Sequence, residues 1–284
     1  MQEVLEVLLR GLFHGITYAV AATGLALVFG VMRVVNVAHG ELFMLGGYIA
    51  YVLWSALGLN PLLGMLVSGV CLAVIGTLLQ RFLVEQVVGK PETTSLLLLF
   101  GVSIILMDMA RGIFTTGLRS IVYLQEPVSI LGASYAANNL VTLAVGIFLA
   151  IALVLFLKFH PLGKALRATA QNQELVSACG IDSRKVRMFS FALAACLAGI
   201  AGVLWAMLHN LSPFTGQAII ITLFAVVVLG GLGSITGAFL GGIALGLAEV
   251  ATAHYFTPQL SLFVAYAVLI ACYSCVPEDS WGRQ

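Results

Sequence analysis

Long apolar runs alternate with short polar connections along nearly the whole chain. Because a hydrocarbon core about 30 Å thick requires about 20 apolar residues per helix, runs of this length predict membrane-crossing helices. They show none of the ten-residue alternation that marks the strands of membrane β-barrels. The predicted fold is therefore an all-α, polytopic membrane protein. The apolar runs cover residues 8–32, 41–57, 61–80, 94–113, 137–157, 188–208, 217–247 and 259–275.

The seventh run, residues 217–247, is longer than one crossing requires and contains a glycine-rich break. The stretch Gly230-Gly-Leu-Gly-Ser-Ile-Thr-Gly237 disfavours a continuous straight helix, because glycine destabilises helix interiors. The run forms either two shorter crossings or one broken crossing. The sequence accordingly predicts eight to nine transmembrane helices in a single transmembrane domain, residues 1–284.

Composition excludes a soluble globular fold. Hydrophobic residues make up 61% of the chain and charged residues 9%, whereas about a quarter of the residues in a soluble domain are charged. A net charge of +1 gives no reason to expect a nucleic-acid partner. The five cysteines show neither metal-ligand spacing nor the paired spacing of a disulfide framework. We expect a multi-pass protein of the bacterial inner membrane.

The basic residues are concentrated between residues 158 and 187, in a connection that the positive-inside rule assigns to the cytoplasm. Arg81 and Lys90 flank another basic connection two crossings earlier, which places it on the same side. Counting back puts the N-terminus outside, and the turn-rich stretch 117–139 is then the largest external loop. The side of the C-terminus depends on the number of crossings in the seventh run. The basic residues of the first connection are Lys158, Lys164, Arg167, Arg184, Lys185 and Arg187.

The cytoplasmic connection contains one amphipathic segment, residues 161–180. Pro161 suits the first turn of a helix and Gly180 its C-terminal end, so the spacing predicts one helix of about 18 residues. The segment has no domain of its own to cover its apolar face. That face lies either on lipid headgroups or in a groove on a cytoplasmic partner protein. The residues near this face are Leu162, Ala165, Leu166, Thr169, Gln173 and Val176.

Asn36, His39 and Glu41 interrupt two apolar runs. Polar side chains at membrane depth are unfavourable, so they usually face a cavity or a partner. One interpretation is an interfacial turn, which the neighbouring Arg33 favours. The other is a helix discontinuity beside a translocation path, in which Asn36 caps the next helix and free N–H groups meet a substrate carboxylate. The glycines at 230–237 allow either close helix packing or a hinge that lines the path.

A few other polar side chains fall inside apolar runs. Asp108 and Arg111 stand three residues apart on one predicted helix, and we expect a neutralised pair rather than an ion relay. Glu249 has no well-placed partner on its own helix, so we expect a partner on another helix. His14 and His209 lie near predicted helix ends, where interfacial hydrogen bonds are expected rather than a bound metal.

Three stretches of the chain, in order, resemble one family. They are Asn36-Val-Ala-His-Gly-Glu-Leu-Phe-Met-Leu-Gly-Gly-Tyr48, Gly163-Lys-Ala-Leu-Arg-Ala-Thr-Ala-Gln-Asn172 continuing to Gly180-Ile-Asp182, and Gly230-Gly-Leu-Gly-Ser-Ile-Thr-Gly-Ala-Phe-Leu-Gly-Gly242. Together they are similar to the branched-chain amino acid ABC transporter permeases, of the first permease subunit type. The resemblance spans most of the chain.

This resemblance implies a permease subunit of an ABC importer that moves a small polar solute inward by alternating access. In that family the permease works with a second related permease, cytoplasmic ABC ATPase subunits and an external solute-binding protein, within membrane lipid. The usual cargo is a branched-chain amino acid, and some relatives carry urea or short amides. The implied ATPase-coupling residues are Gly163, Lys164, Leu166, Arg167, Ala168, Asn172 and Gly180. The candidate translocation-path residues are Asn36, His39, Glu41, Gly230, Gly231, Gly233 and Ser234.

The sequence has no phosphate-binding loop, since Gly89-Lys90 is followed by Pro91 and Gly163-Lys164 by Ala165. ATP and Mg²⁺ are therefore expected on the partner ATPase, and we expect this chain to be a transporter subunit without catalytic residues, cofactor or metal. A competing interpretation is an ion-coupled secondary transporter or channel that needs Asp108 or Glu249 and no ATPase. An intramembrane enzyme is disfavoured because Gly-x-Ser-x-Gly and His-Glu-x-x-His motifs do not occur.

Overall fold

The computed structural model describes residues 2–130 and 133–275, and the α-helix is its dominant element. Two short antiparallel strands, β1 (Pro127–Ile130) and β2 (Ala133–Ala136), form a hairpin in the predicted external loop, and a 3-10 turn covers Val84–Gln86. The helices are α1 (Gln2–Met32), α2 (His39–Leu57), α3 (Pro61–Phe82), α4 (Glu92–Phe114), α5 (Ala137–Phe159), α6 (Pro161–Gln171), α7 (Gln173–Ala178), α8 (Ser183–Leu208), α9 (Thr215–Gly230), α10 (Ile235–Tyr255) and α11 (Pro258–Cys275).

The helices confirm the predicted polytopic, all-α fold class. Within the described residues, seven helices are long and apolar enough to cross a bilayer, and α9 and α11 are shorter apolar helices. Helices α6 and α7 lie in the basic connection that the positive-inside rule assigns to the cytoplasm. The apolar pattern did not predict the hairpin β1–β2.

The long seventh apolar run consists of two helices rather than one broken helix. Helix α9 ends at Gly230 and α10 begins at Ile235. Between them Gly231 and Gly233 have φ angles of 90° and 81°, which side chains with a Cβ atom rarely adopt. The hydroxyl of Ser234 accepts a hydrogen bond from the N–H of Gly237 at 3.1 Å and caps α10. The chain therefore reverses direction at 231–234.

Helix α1 occupies the centre of the bundle and runs antiparallel to α8 and α10. A methyl group added at Gly11 would lie 2.8 Å from the Cα atom of Leu247, and one added at Gly30 would lie 3.1 Å from the Cα atom of Gly233. Small residues permit this close backbone approach. Since α8 begins at the basic connection, the positive-inside rule puts the end of α1 at the cytoplasm and its start outside.

Helix α2 begins inside the bundle rather than at its edge. The Nε2 atom of His39, its first residue, lies 3.0 Å from the carbonyl oxygen of Ala21. Ala21 precedes Met32, the last residue of α1, by three helical turns, which corresponds to about 16 Å along the helix axis. Residues 33–38 therefore turn back towards the middle of the membrane before α2 runs outward.

Helix α9 begins at the same depth and runs the opposite way. The backbone of Gly216, in its first turn, contacts the backbone of Gly40, in the first turn of α2. The segment 209–214 descends to this point from the outer end of α8, and α9 continues to the cytoplasmic side. The N-termini of two partial helices thus meet near mid-membrane.

The helices form two groups of four with inverted orientation. In α1–α4, a long helix is followed by a non-helical segment, a helix that begins mid-membrane and two further apolar helices. In α8–α11 the same order recurs with each helix running the other way, and α5 joins the groups. The main contacts correspond, since α1 packs most extensively on α10 and α3 on α8. Inverted repeats of this kind place functional sites where the two halves meet.

Candidate functional site

The cytoplasmic segment 161–180 is not the single helix that its spacing predicts. Helix α6 ends at Gln171 and α7 starts at Gln173, because Asn172 between them has an extended backbone with φ −158°. The Asn172 side chain accepts a hydrogen bond from the N–H of Leu175 at 3.0 Å. Asparagine favours this arrangement because its short amide can cap a helix. Gly180 ends the segment with φ 80°, as expected of a C-terminal glycine.

Helix α6 is held against the transmembrane helices by its inner face. Gly163 packs against the backbone of Phe156 and Leu157 in α5, and Leu166 is 1% exposed. The expectation that this chain leaves the whole apolar face uncovered is therefore wrong for α6. Leu162, which the pattern placed on that face, is instead 43% exposed. Gly163 and Leu166 thus position the helix rather than face a cytoplasmic partner.

The other five predicted coupling residues are accessible at the surface of the protein. Lys164, Arg167, Asn172 and Gly180 are exposed, and Ala168 is half-buried. They present two positive charges beside exposed apolar side chains, which is a composition that suits protein docking. Their role in coupling to an ATPase stays a prediction.

A crevice of about 170 Å³ lies between α6, in the predicted coupling segment 161–180, and the adjacent ends of α1, α5 and α10. Its lining includes Arg167, one of the predicted coupling residues, and Gly233, one of the predicted path residues. The crevice is lined by Leu27, Gly30, Val31, Leu157, Leu166, Arg167, Ala170, Gln171, Gly233 and Ile235.

Asp182 fixes the junction between the coupling segment and α8. Its Oδ1 atom accepts hydrogen bonds from the N–H groups of Arg184 at 3.1 Å and Lys185 at 3.3 Å. These donors, led by the Lys185 backbone, hold the pKa of Asp182 below its ordinary value. As the N-cap of α8, the carboxylate also interacts favourably with the positive end of the helix dipole.

The predicted path residues lie at two depths. Asn36, His39 and Glu41 are 1%, 0% and 1% exposed, in the turn that leads into α2 near mid-membrane. The interpretation of this turn as interfacial is therefore wrong. Asn36 also does not cap α2, because the N-cap is Ala38 and has no side-chain hydrogen bond. Gly230, Gly231, Gly233 and Ser234 instead form the cytoplasmic turn between α9 and α10.

Glu41 lies where the N-termini of α2 and α9 meet. A Cβ atom added at Gly216 would lie 2.8 Å from its Oε1 atom, so the carboxylate packs closely against the backbone of Gly216. The hydroxyl of Ser103, on α4, donates a hydrogen bond to Oε1 at 3.3 Å. The other carboxylate oxygen, Oε2, and both amide atoms of Asn36 have no hydrogen-bond partner among the described residues.

A second buried polar cluster lies towards the outer side. The hydroxyl of Tyr18 donates to Glu249 at 2.9 Å, which confirms that Glu249 has its partner on another helix. The Nε2 atoms of His14 and His209 lie 2.7 Å apart, so these residues hydrogen-bond to each other. Trp205 stacks on His209 with ring centroids 3.9 Å apart. The cluster ties α1, α8 and α10 together.

Asp108 and Arg111 form the predicted pair on α4. Their charged atoms lie 3.5 Å apart, and each side chain is 52% exposed. Because both side chains are exposed, they do not lie in the buried centre of the bundle, where a relay between helices would run. The pair therefore neutralises charge on the outward face of α4.

Three residues of these sites escaped prediction from the sequence. Ser103 and Gly216 complete the surroundings of Glu41, and Glu85 forms an ion pair with the start of α8. Glycine and serine are common in membrane helices, so neither carries a distinctive signal. Glu85 could have been noted as the acidic residue in an otherwise basic cytoplasmic connection.

The inverted helix groups, the mid-membrane meeting of two helix N-termini and the exposed cytoplasmic segment define a polytopic membrane transporter. The family model for the branched-chain amino acid transport system permease component matches residues 7–273. The chain therefore belongs to this permease family, and the resemblance of its three sequence stretches is confirmed.

Relatives in the same family align over nearly the full chain. The high-affinity branched-chain amino acid transport system permease protein LivH of Salmonella typhimurium is 30% identical, with 98% of this chain and 96% of the relative covered. The corresponding permease protein BraD of Pseudomonas aeruginosa is 31% identical with the same coverage. The chain thus spans nearly the whole length of these permeases.

One solved structure shares the fold. PsaBC from Streptococcus pneumoniae in complex with Fab superposes with a TM-score of 0.54 at 16% identity, covering 96% of this chain and 92% of that chain. At this identity the likeness concerns the arrangement of the helices alone.

Proposed function

We propose that this chain is the transmembrane permease subunit of an ABC importer that moves branched-chain amino acids inward across the bacterial inner membrane. The observation that carries the proposal is the family match over residues 7–273, together with relatives named for branched-chain amino acid transport. The membrane-spanning helices supply the path, and the energy comes from ATP bound with Mg²⁺ on a separate ATPase.

The proposed site of ATPase coupling is the exposed side of α6 and α7. Lys164, Arg167 and Ala168 would contact the ATPase, while Gly163 and Leu166 anchor α6 to α5. A rigid anchor on one face is what transmission needs, because a helix floating on lipid would move without moving the bundle. The shared crevice carries the displacement to the turn at Gly233.

The proposed translocation path runs beside the meeting point of α2 and α9. Asn36, His39 and Glu41 lie there, and polar groups at this depth usually mark a substrate pathway. Gly230, Gly231, Gly233 and Ser234 would act as the cytoplasmic hinge. Alternating access would then be a rocking of the two inverted helix groups about this point.

Three partners complete the proposed importer. Cytoplasmic ATPase subunits bind at the coupling segment, an external solute-binding protein delivers the amino acid, and a second related permease covers part of the exposed apolar surface of this chain. Helix α4 has little cover from the rest of the chain and carries Leu97, Phe100 and Ile105 at 68%, 47% and 60% exposure. Lipid covers what the second permease leaves.

Purification from the native membrane tests the assembly. The tagged chain is extracted in a mild detergent, and co-purifying subunits are identified by mass spectrometry. We expect a nucleotide-binding ATPase and a second permease in stoichiometric amounts. A chain that purifies alone and transports in liposomes without ATP would instead be a secondary transporter or channel.

Uptake by the reconstituted complex tests the cargo. Proteoliposomes with internal ATP and the external binding protein should accumulate radiolabelled leucine, isoleucine and valine. Urea and acetamide serve as matched small polar controls. Accumulation of urea without leucine would move the cargo to the amide class while leaving the importer assignment intact.

A further inference from the structure

The carboxylate of Glu41 is buried near mid-membrane without a cationic partner. None of the ion pairs among the described residues involves it. Ser103 donates one hydrogen bond of 3.3 Å to Oε1, and Oε2 has no partner. A buried, ionised carboxylate without a charged partner is strongly unfavourable. Ionised carboxylates within membranes therefore usually pair with a positive charge. The unpartnered Oε2 atom of Glu41 is therefore able to accept a hydrogen bond from a cation.

The same point also has unused capacity to bind a negative charge. The N-caps of α2 and α9, Ala38 and Phe214, make no side-chain cap hydrogen bond. The N–H groups of His39 and Thr215 donate to the carbonyl oxygens of Asn36 and Ser212, which leaves the next two N–H groups of each helix, at residues 40–41 and 216–217, able to donate to a ligand. Both helices direct the positive end of their dipole at this region. Asn36 adds an amide group that is 1% exposed and has no hydrogen-bond partner among the described residues.

The site combines a hydrogen-bond acceptor for a cation, Glu41, with donors for an anion at Asn36 and at the N-termini of α2 and α9. This combination fits a zwitterion. The ammonium and carboxylate groups of an α-amino acid share a single carbon atom, so both must be bound within a few ångströms of each other. We propose that Glu41 binds the ammonium group of the transported amino acid, and that Asn36 and the N-termini of α2 and α9 bind its carboxylate. This inference rests on the proposed function, because it takes an amino acid as the cargo.

In the present conformation the site is closed. The backbones of Gly40 and Gly216 touch, and Glu41 fills the space between the two helix starts. Each of these helices follows a non-helical segment, 33–38 and 209–214, which can absorb a displacement without breaking a helix. Separation of α2 from α9 during the transport cycle opens the space between Glu41 and Asn36 to the amino acid.

Binding to the intact complex in lipid nanodiscs, without the external binding protein, tests the role of Glu41. We compare radiolabelled leucine with 4-methylpentanoate, which has the same apolar chain and carboxylate but lacks the ammonium group. Glu41→Gln should lower leucine affinity by about tenfold or more, because a charge-assisted hydrogen bond is lost. The weak affinity for 4-methylpentanoate should stay within about twofold of its wild-type value.

Glu249→Gln is the matched control, because this second buried carboxylate already has Tyr18 as its partner. It should leave leucine binding unchanged. If Glu41→Gln binds leucine as wild type does, or loses leucine and 4-methylpentanoate equally, the ammonium site is overturned.

If the Glu41→Gln variant fails to assemble, chemical modification of the wild-type complex tests the ammonium site instead. Dicyclohexylcarbodiimide modifies carboxyl groups in apolar surroundings, and mass spectrometry gives the rate at Glu41 and Glu249 in one sample. Saturating leucine should slow modification of Glu41 alone, and 4-methylpentanoate should not. Equal rates at Glu41 with and without leucine overturn the inference.

Leucine uptake by the wild-type complex distinguishes failure of the proposed function from failure of the ammonium site at Glu41. A complex that hydrolyses ATP but imports no leucine overturns the proposed function. Wild-type leucine uptake together with an indifferent Glu41 overturns only the assignment of the ammonium site.

Discussion

Arg187 and Glu85 form an ion pair that joins the cytoplasmic ends of α8 and α3. The Nη2 atom of Arg187 donates to Oε1 of Glu85 at 2.5 Å, and Nε donates to Oε2 at 3.3 Å. The amide of Gln80 donates to Oε2 as well, at 3.0 Å. Both charged side chains are largely buried, at 10% and 17% exposure, so the geometry of this bidentate pair is well defined.

Loss of Arg187 should destabilise the protein markedly. Arg187→Ala leaves the carboxylate of Glu85 largely buried without its main partner, and we expect the free energy of unfolding to fall by about 3 kcal/mol. Arg184, whose side chain is 65% exposed and lies 3.7 Å from the same carboxylate, is the control. Arg184→Ala should cost less than about 1 kcal/mol. Thermal unfolding of the purified variants measures both, and equal losses would contradict the prediction.

Gly202 should not tolerate even a methyl group. A Cβ atom there would collide with the carbonyl of Phe43 and lie 3.0 Å from the backbone nitrogen of Gly47. Gly202→Ala should therefore separate α8 from α2 and cost about 1–3 kcal/mol or more. Gly101→Ala, on α4 with open space around it, should be neutral or slightly stabilising because alanine favours helix. Folded yield on size-exclusion chromatography distinguishes the two variants.

Reversal of the charge at Arg167 should uncouple transport. Arg167→Glu leaves the buried anchor of α6 untouched but places a negative charge on the proposed ATPase-docking surface. We expect ATP-driven uptake to be abolished while membrane insertion and expression remain normal. Lys90→Glu, another exposed basic residue of the cytoplasmic side, should transport as wild type does. Retained ATP-dependent uptake in Arg167→Glu would exclude docking at this surface.

The hydroxyl of Tyr18 should matter for stability through Glu249. Tyr18→Phe removes the donor to that carboxylate, and a poorly solvated acceptor without a partner costs about 1–3 kcal/mol. Tyr266→Phe is the control, because Tyr266 is 47% exposed on α11. The melting temperature in detergent should fall for the first variant and stay unchanged for the second. A fall in Tyr18→Phe that persists undiminished in a Glu249→Leu background would exclude this hydrogen bond as the cause.

The cap at Asp182 should be lost in acid. The pKa of this carboxyl is lowered from its ordinary 3.8, so its stabilisation of α8 is present above that pH and disappears as the pH falls through the folded pKa. Hydrogen exchange, corrected for its intrinsic pH dependence, should show the N–H groups of Arg184 and Lys185 losing protection below about pH 4. Asp182→Asn should remove this pH dependence, since the amide does not titrate.

Several features of the fold followed directly from local sequence chemistry. The break after Gly230 was predicted because its glycines favour backbone angles that helices do not allow, and the structure has a turn there. The segment 161–180 was predicted as one helix, and the structure has two, α6 and α7. Its interior contains Asn172, whose effect on helix continuity depends on whether the amide caps a new helix or points into solvent. Periodicity alone does not distinguish these cases.

The sequence identified the polar residues of the mid-membrane site but not their depth in the membrane. Asn36, His39 and Glu41 stood out as polar residues among apolar runs, yet Arg33 suggested a turn at the membrane edge. The depth of this turn depends on His39 contacting Ala21 and on Gly40 meeting Gly216. These contacts join residues far apart in the chain.

The sequence by itself determined that the chain crosses a membrane many times and to which family it belongs. Apolar length, charge distribution and local motifs are properties of short stretches, and they keep their meaning wherever those stretches lie. Only the tertiary structure decided that α2 and α9 start at mid-membrane and that Glu41 lies between them. Helix depth and helix neighbours are set by packing between distant segments, and small residues permit such packing without specifying the partner.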